Sequence, residues 1–256
     1  VARASKSLAS TLQMLIDKYK DRSKLMLILC GSSMSYMEDQ VLAYKAPLYG
    51  RRTAQMKIMP FDFEECCTYL SGLSDEDKAY IYGIVGGTPQ YLLQENIKNT
   101  YLNPMSFLYE EPLNLLKQEV REPAIYNAII TAVATGHSRM SEISTKVGES
   151  TTVCSGYLKN LIDLGIIKKE TPYGEKSSRK SIYSIEDNMF YFWYRFVLDN
   201  ASVIARGAVN LVYRRIEAQL NDYMGKVFEE ICTQYLWKLL LKGKMPIEFV
   251  SLGRWW

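Results

Sequence analysis

The sequence predicts a mainly α fold that contains one remnant of a parallel α/β sheet and a winged helix-turn-helix. Amphipathic helical spacing recurs along most of the 256 residues. An apolar run over residues 25–30 stops at Gly31, which is typical of a parallel strand buried on both faces. Three short helical patterns precede two β-rich stretches, 166–171 and 180–185, which is the element order of a winged helix.

The first sixty residues predict one helix and two strands. Apolar spacing predicts an amphipathic helix over residues 5–20, and a buried strand over 24–30 follows it. A shorter apolar strand is predicted over 55–59. A helix followed by a strand is half of a βαβ unit, and the other half would precede Val1. We therefore expect the chain, which stops at Trp256, to be a piece of a longer protein.

Helices connected by capped turns are predicted for residues 61–120. Asp62 precedes the first helix as an N-cap, and Ser74 begins a Ser-x-x-acid capping box. Gly86-Gly87-Thr88-Pro89 ends one helix and begins the next, with glycine at the C-cap and proline in the first helical position. The predicted helices cover 63–70, 74–85, 89–93 and 104–118.

The winged helix-turn-helix is predicted over residues 121–186. Ser138 and Ser150 are predicted N-caps of its second and third helices, and a turn at 172–176 joins the two strands of the wing. Beyond it, Asp187 precedes an aromatic helix over 189–198, which we expect to be core because aromatic residues lie on every face. The remaining predictions are helices over 209–220 and 223–241 and a strand from Pro246.

Composition excludes several classes of protein. A net charge of +3 is too small to indicate a nucleic-acid or membrane partner by itself. No apolar run approaches the roughly 18 to 20 residues of a membrane span, and no signal peptide opens the chain. Five cysteines without a C-x-x-C pair favour reduced thiols and a cytoplasmic location over disulfides or zinc. With His137 as the only histidine, we expect no metal site.

Four motifs together resemble a known family, the prokaryotic AAA+-like ATPases with a C-terminal DUF234 domain. These motifs are Leu27-Ile-Leu-Cys-Gly-Ser-Ser-Met34, Pro47-Leu-Tyr-Gly-Arg-Arg-Thr53, Gly86-Gly-Thr-Pro-Gln-Tyr-Leu92 and Tyr223-Met-Gly-Lys-Val-Phe-Glu229. The resemblance implies the end of a P-loop α/β ATPase core, a helical lid, the winged helix and the start of a restriction-endonuclease-like domain. The corresponding ranges are 1–60, 61–120, 121–186 and 187–256.

The resemblance also implies ATP and Mg²⁺ as cofactors of the longer parent protein. The 256 residues contain neither G-x-x-x-x-G-K-[ST] nor an apolar strand ending in Asp-Glu. We therefore expect this chain by itself to need no cofactor, to hydrolyse no ATP and to cut no DNA.

The resemblance assigns nucleotide-related roles to three groups of residues. Ser32 and Ser33 correspond to a sensor of the γ-phosphate, although serines also end strands by bonding to local backbone. Arg51 and Arg52 are candidates for an arginine finger and cannot be separated by sequence; a solvated pair bonded to carboxylates is the alternative. The corner at 86–89 is a candidate lid contact to nucleotide, or a helix junction that needs glycine and proline for backbone reasons alone.

The wing carries the candidate contacts to duplex DNA. These residues are Lys168, Lys169, Lys176, Arg179 and Lys180. The third helix has only Lys159 and Asp163 as charges, so the alternative is a winged helix that serves as a packing module. Glu229 resembles the first-helix acid of nuclease-like folds, or is an ordinary surface glutamate.

The sequence thus predicts part of an ATP-binding switch that is coupled to a winged helix and a nuclease-like domain and is related to DNA. The alternative is a DNA-binding transcription regulator or adaptor without catalytic activity. Duplex DNA is the expected partner, a homo-oligomer is left open, and no membrane partner is expected.

Overall fold

The computed structural model describes residues 7–24, 26–31, 37–93, 96–175 and 180–256, except the side chains of 38–40. The chain divides into two compact units. One comprises Val1–Met59 with Leu115–Arg121, and the other Pro60–Asn114 with Glu122–Trp256. Helices dominate the described residues, and their one sheet has two strands, so the mainly α prediction is confirmed.

The first unit contains the predicted amphipathic helix but neither predicted strand. Helix α1 spans Leu8–Tyr19, and a π-helical turn spans Met37–Leu42. The strand predictions over 24–30 and 55–59 are wrong for the described residues, which have no regular structure there. Ile28 and Ile58 are 68% and 80% exposed. A strand requires hydrogen-bonded neighbours, and the described part of this unit supplies none.

The second unit begins with short capped helices. Asp62 accepts a hydrogen bond from the Glu65 backbone at 2.8 Å, and the Ser74 hydroxyl accepts one from the Asp77 backbone at 3.1 Å, as the sequence predicts. The helix predicted over 104–118 is instead two elements, because Pro112 lacks the N–H that a continuous helix would use. The elements are α2 Phe63–Tyr69, α3 Asp75–Val85, α4 Pro89–Leu92, a 3₁₀ turn Phe107–Tyr109 and α5 Glu111–Glu119, of which the residues from Leu115 onward belong to the first unit.

Three helices and a hairpin follow in the predicted order. Their bounds are α6 Pro123–Ala134, α7 Met140–Val147, α8 Thr151–Asp163, β1 Ile167–Glu170 and β2 Ile182–Ile185. The strands are antiparallel, with Ile167 opposite Ile185. Ser150 caps α8, as predicted. The residue at the N-cap of α7 is Arg139 and not the predicted Ser138. The Glu142 carboxylate accepts hydrogen bonds from the backbone N–H groups of both Ser138 and Arg139. One apolar core joins these helices; its fully buried members include Ile129, Ile143 and Leu161.

The aromatic segment lies in the core of the second unit, as predicted. Helix α9, Asn188–Phe192, is capped by Asp187 and continues as a π-helical turn, Trp193–Val197. The Trp193 indole donates to the Tyr109 carbonyl at 2.7 Å. The Tyr223 ring stacks on Tyr191 with centroids 4.7 Å apart, so α9 packs between α3 and the last long helix.

The last seventy residues are helical except at their end. A 3₁₀ turn Leu198–Asn200 leads to α10 Ala201–Ala205, α11 Val209–Glu217 and α12 Leu220–Leu241. The prediction of a strand from Pro246 is wrong, because residues 246–256 pair with no strand among the described residues. Val250 in this segment is 95% exposed. Within the described ranges, no helix has both the length and the apolar character needed to cross a membrane.

Candidate functional site

The structure separates the two arginines that the sequence leaves equivalent. Arg51 forms a bidentate salt bridge with Asp17 on α1, with Nε–Oδ1 and Nη2–Oδ2 distances of 2.7 and 2.8 Å. Its Nη1 donates to the carbonyls of Pro47 and Tyr49. The hydrogen bond from Arg51 lowers the pKa of the Asp17 carboxyl. Arg51 therefore fastens its loop to α1.

Arg52 is the exposed member of the pair. Its Nη1 donates to the amide oxygen of Gln55, and none of its described contacts is an ion pair. A solvent-facing guanidinium without a carboxylate retains donors for a phosphate. Ser32 and Ser33, the predicted sensor, lie outside the described residues.

The corner at Gly86–Pro89 is shaped by backbone packing. Gly86 has φ +69°, and both glycines are buried. The Gly87 carbonyl accepts the Phe61 N–H at 2.8 Å, and a Cβ on Gly87 would overlap the Phe61 backbone. Thr88 precedes α4 without a side-chain cap, and α4 has only four residues. These contacts account for both glycines without a ligand.

The candidate DNA-contacting lysines of the hairpin that the structure describes have different surroundings. Lys168 faces α12 and pairs with Glu230 at 2.9 Å, and Lys180 pairs with Glu175 at 2.5 Å. Lys169 is exposed, and its ammonium lies 5.9 Å from the centre of the Tyr183 ring. Lys176 and Arg179 lie outside the described residues. Among the described candidate lysines of the hairpin, Lys169 is thus the one that faces solvent without an ion pair.

Helix α8, which contacts β1 of the hairpin, offers neutral polar groups. Asn160 donates to the Tyr126 hydroxyl at 2.7 Å, and the Ser150 hydroxyl is used as the cap. Thr151, Thr152 and Ser155 are exposed. The exposed face of α8 therefore presents small hydroxyl side chains next to one cation, Lys159.

A charge cluster that sequence reasoning missed joins the hairpin to α12 and the C-terminal segment. Arg254 pairs with Glu170 on β1 at 2.6 Å and with Glu229 on α12 at 3.4 Å. The Arg254 carbonyl accepts the Tyr173 N–H at 2.8 Å. These partners are separated by 84 and 25 residues along the chain, so no local pattern indicates them.

Lys226 lies at the centre of this cluster without a carboxylate partner among the described residues. Its ammonium donates to the Ile185 carbonyl at 3.1 Å and lies 4.2 Å from the centre of the Tyr191 ring. Burial of the ammonium lowers the pKa of Lys226 to about 8, and the positive charges of Lys168 and Arg254 act in the same direction. The only sequence signal was its place beside Glu229 in the Gly-Lys-Val-Phe-Glu motif.

Two features of the described residues bear on nucleotide and metal binding. The corner at 86–89 uses its backbone groups internally, as described above. Among the described His, Cys, Asp and Glu side chains, no three converge in a way that could hold a metal ion.

Comparison with known sequences finds a family match in the N-terminal part of the chain and another in the C-terminal part. Residues 1–94 match an ATPase domain predominantly from Archaea, and residues 193–256 match DUF234, described as archaea bacterial proteins of unknown function. The chain matches the ATPase plus DUF234 family. An uncharacterized protein of Methanocaldococcus jannaschii is 36% identical in an alignment that is 256 positions long. The alignment covers 96% of this chain and 57% of that protein. No solved structure matches.

Proposed function

We propose that this ATPase plus DUF234 chain is part of an ATP-dependent switch that acts on or near duplex DNA. The order of its parts carries the proposal: the ATPase-domain match comes first, then three helices with a hairpin, then the DUF234 match. The elements α6, α7, α8, β1 and β2 act as a winged helix-turn-helix, and the DUF234 region begins a nuclease-like domain. ATP and Mg²⁺ are held by parts of the complete ATPase domain outside the described residues.

Arg52 is the arginine that this proposal assigns to ATP turnover. A guanidinium offered to the transferring phosphate contributes several orders of magnitude in rate, in cis or from a second copy of the chain. Exposure of Arg52 and the complete pairing of Arg51 support this choice. If a second copy supplies the arginine, the working form is a homo-oligomer.

The test uses a protein that contains the complete ATPase domain together with these residues. Arg52→Ala should lower the rate of ATP hydrolysis by at least about a hundredfold. The matched control is Arg22→Ala, which removes an exposed arginine from the same unit and should leave the rate unchanged. Equal rates for Arg52→Ala and the wild type would remove Arg52 from the mechanism. ATP hydrolysis by the 256-residue chain alone would contradict the expectation that it lacks the phosphate-binding loop.

Binding of duplex DNA tests the proposed role of the hairpin. Fluorescence anisotropy at two salt concentrations should show binding that weakens steeply with salt, since a few phosphate contacts dominate it. Lys169→Gln should weaken binding and reduce the salt slope by about one ion, whereas Lys242→Gln on the exposed end of α12 should change neither.

The alternative function, a DNA-binding regulator or adaptor without catalysis, predicts a different response to nucleotide. In the switch, ATP changes the affinity of the complete protein for DNA; in the adaptor it does not. Absence of any salt-sensitive DNA binding by the complete protein would contradict both versions and leave the three helices and hairpin with a packing role.

A further inference from the structure

A cavity in the second unit has the size of a small-molecule site. Its volume is about 760 Å³, and ligand pockets usually measure a few hundred to about 1,000 Å³. Its walls come from the end of α6, from β2, from the aromatic segment, from α11 and α12, and from the C-terminal segment. Every residue on these walls belongs to the second unit.

Positive charge dominates the walls of this cavity. Four cationic side chains line it: Arg195, Arg215, Lys226 and Arg254. Asp199 is the one carboxylate among the lining residues. The net charge of the chain is only +3, so this concentration of cations is local. Low-dielectric walls strengthen the attraction of such a cavity for an anion.

Two of the four cations have no ion pair within the described residues. Lys226 contacts only a carbonyl and an aromatic ring, as described above. Arg215 donates to the Asn200 side-chain oxygen at 3.5 Å, which is a weak contact. A half-buried ammonium among other cations is unfavourable unless an anion compensates it. The fold therefore keeps two cationic side chains at the cavity without an ion pair among the described residues, and Glu170 offsets only part of the unfavourable surroundings of Lys226.

The other two cations are already oriented by carboxylates. Arg195 pairs with Asp222 at 2.7 Å and also donates to the Tyr191 hydroxyl at 2.7 Å. Arg254 is held by Glu170, as described above. Guanidinium groups fixed in this way keep further N–H donors and lose little freedom on binding, which suits the tetrahedral oxygens of a phosphate.

We propose that this cavity binds the phosphate group of a small phosphorylated ligand. Lys226 and Arg215 supply the charges that the phosphate neutralises, and Arg195 and Arg254 supply oriented donors. The aromatic wall formed by Tyr183 and Tyr191 contacts the remainder of the ligand. This site is separate from the arginine proposed for ATP turnover, since its described lining residues all lie between Val133 and Arg254.

Calorimetric titration of the 256-residue chain at pH 7 and low salt tests this inference with two probes, inorganic phosphate and adenosine monophosphate. Saturable binding of one or both is expected, and sodium chloride at equal ionic strength should produce none. Tighter binding of the nucleoside monophosphate is expected, because Tyr183 and Tyr191 would contact the part of the ligand beyond its phosphate. Equal binding of the two probes would contradict that contact and leave free phosphate as the ligand.

Two neighbouring arginines on α11 provide a matched pair of variants. Arg215→Gln should weaken binding of the better probe by at least about tenfold, because a charged donor is lost. Arg214→Gln removes the same charge from an exposed residue that does not line the cavity, and binding should be unchanged. Lys226→Met should weaken binding at least as much as Arg215→Gln, and Lys242→Met should not.

Two results would overturn the inference. One is the absence of saturable binding of either probe at low salt. The other is an equal loss of affinity in Arg215→Gln and Arg214→Gln, which would indicate attraction by the overall charge of α11. Because Arg215 is exposed, its substitution should leave the unfolding temperature close to that of the wild type, and this separates lost binding from lost folding.

Discussion

Lys226 has an ammonium that the fold desolvates, and its protonation should therefore be coupled to stability. Burial lowers the pKa of Lys226 in the folded protein to about 8, whereas in the unfolded chain this lysine keeps its ordinary pKa of 10.5. At pH 7, Lys226→Met should raise the free energy of unfolding by on the order of 1 kcal/mol, because it removes a charge that the folded state disfavours. Urea unfolding in a buffer without phosphate or sulfate measures this difference.

The advantage of Lys226→Met should shrink as the pH rises. Between about pH 8 and 10.5, the folded wild type has released the proton of Lys226 while the unfolded chain still binds it, so wild-type stability rises relative to the variant. Lys168, Arg195 and Arg254 lower this pKa with burial, and Glu170 opposes them. A constant difference between pH 7 and pH 10 would contradict the role of desolvation; Lys242→Met supplies the pH-independent control.

Gly87 and Gly156 should respond to alanine in opposite directions. A Cβ at Gly87 would overlap the Phe61 carbonyl, so Gly87→Ala should destabilise the protein by roughly 1–3 kcal/mol or more, in the range of overpacked sites. Gly156 is exposed inside α8, and its Cβ would meet no atom within 4 Å. Gly156→Ala should stabilise the protein by roughly 0.5–1 kcal/mol, since alanine loses less entropy in a helix. Thermal unfolding of the two variants measures both effects.

At the scale of elements, the contact between β1 and the C-terminal segment depends on one carboxylate. Burial alone would raise the pKa of Glu170, but the hydrogen bond from Arg254 and the charge of Lys168 outweigh it and hold the pKa below 4.5. The stabilisation is therefore complete above pH 4.5 and is lost as the pH falls through the folded-state value.

Glu170→Gln tests this contact. At pH 7 the variant should lose roughly 1–2 kcal/mol of stability, typical of a hydrogen bond to a charged group, and the difference should vanish in acid. Glu149→Gln changes an exposed carboxylate and should be neutral at both pH values. An undiminished difference in acid would show that the glutamine acts through packing instead of charge.

Elements whose signals are local could be predicted from the sequence, and elements that depend on distant partners could not. Asp62, Ser74, Ser150 and Asp187 cap helices as predicted, because an N-cap bonds to N–H groups within three residues. The apolar run at 25–30 predicted a strand, but a strand also needs neighbours that its own sequence does not specify.

The candidate site shows the same dependence on distance. Arg51 and Arg52 are distinguished only by Asp17, 34 residues away from Arg51. The positions of Arg195, Lys226 and Arg254 around one cavity depend on how the π-helical turn at 193–197, α12 and the C-terminal segment pack. Sequence periodicity placed Lys226 on a helix but could not place the other cations beside it.

For the whole molecule, the two units should differ in resistance to proteolysis. Residues 51–60 lack regular structure and contain the exposed Arg52 and Lys57, whereas the second unit has a continuous core. Brief digestion with trypsin should cut first at these two residues and leave a resistant product that extends to Trp256. Mass spectrometry of the products over time checks this. First cuts within α6 to α9 would show that the second unit is the less stable one.

Trp193 gives the second unit an internal optical reporter. Its indole is buried and donates to the Tyr109 carbonyl, whereas Trp255 is 82% exposed. The emission spectrum of the folded protein is therefore a sum of the shielded, blue-shifted indole of Trp193, the half-buried indole of Trp237 and the more exposed indoles of Trp255 and Trp256. With Trp255 replaced by phenylalanine, quenching by acrylamide would follow more selectively the opening of the contact between the aromatic segment and the 3₁₀ turn at 107–109.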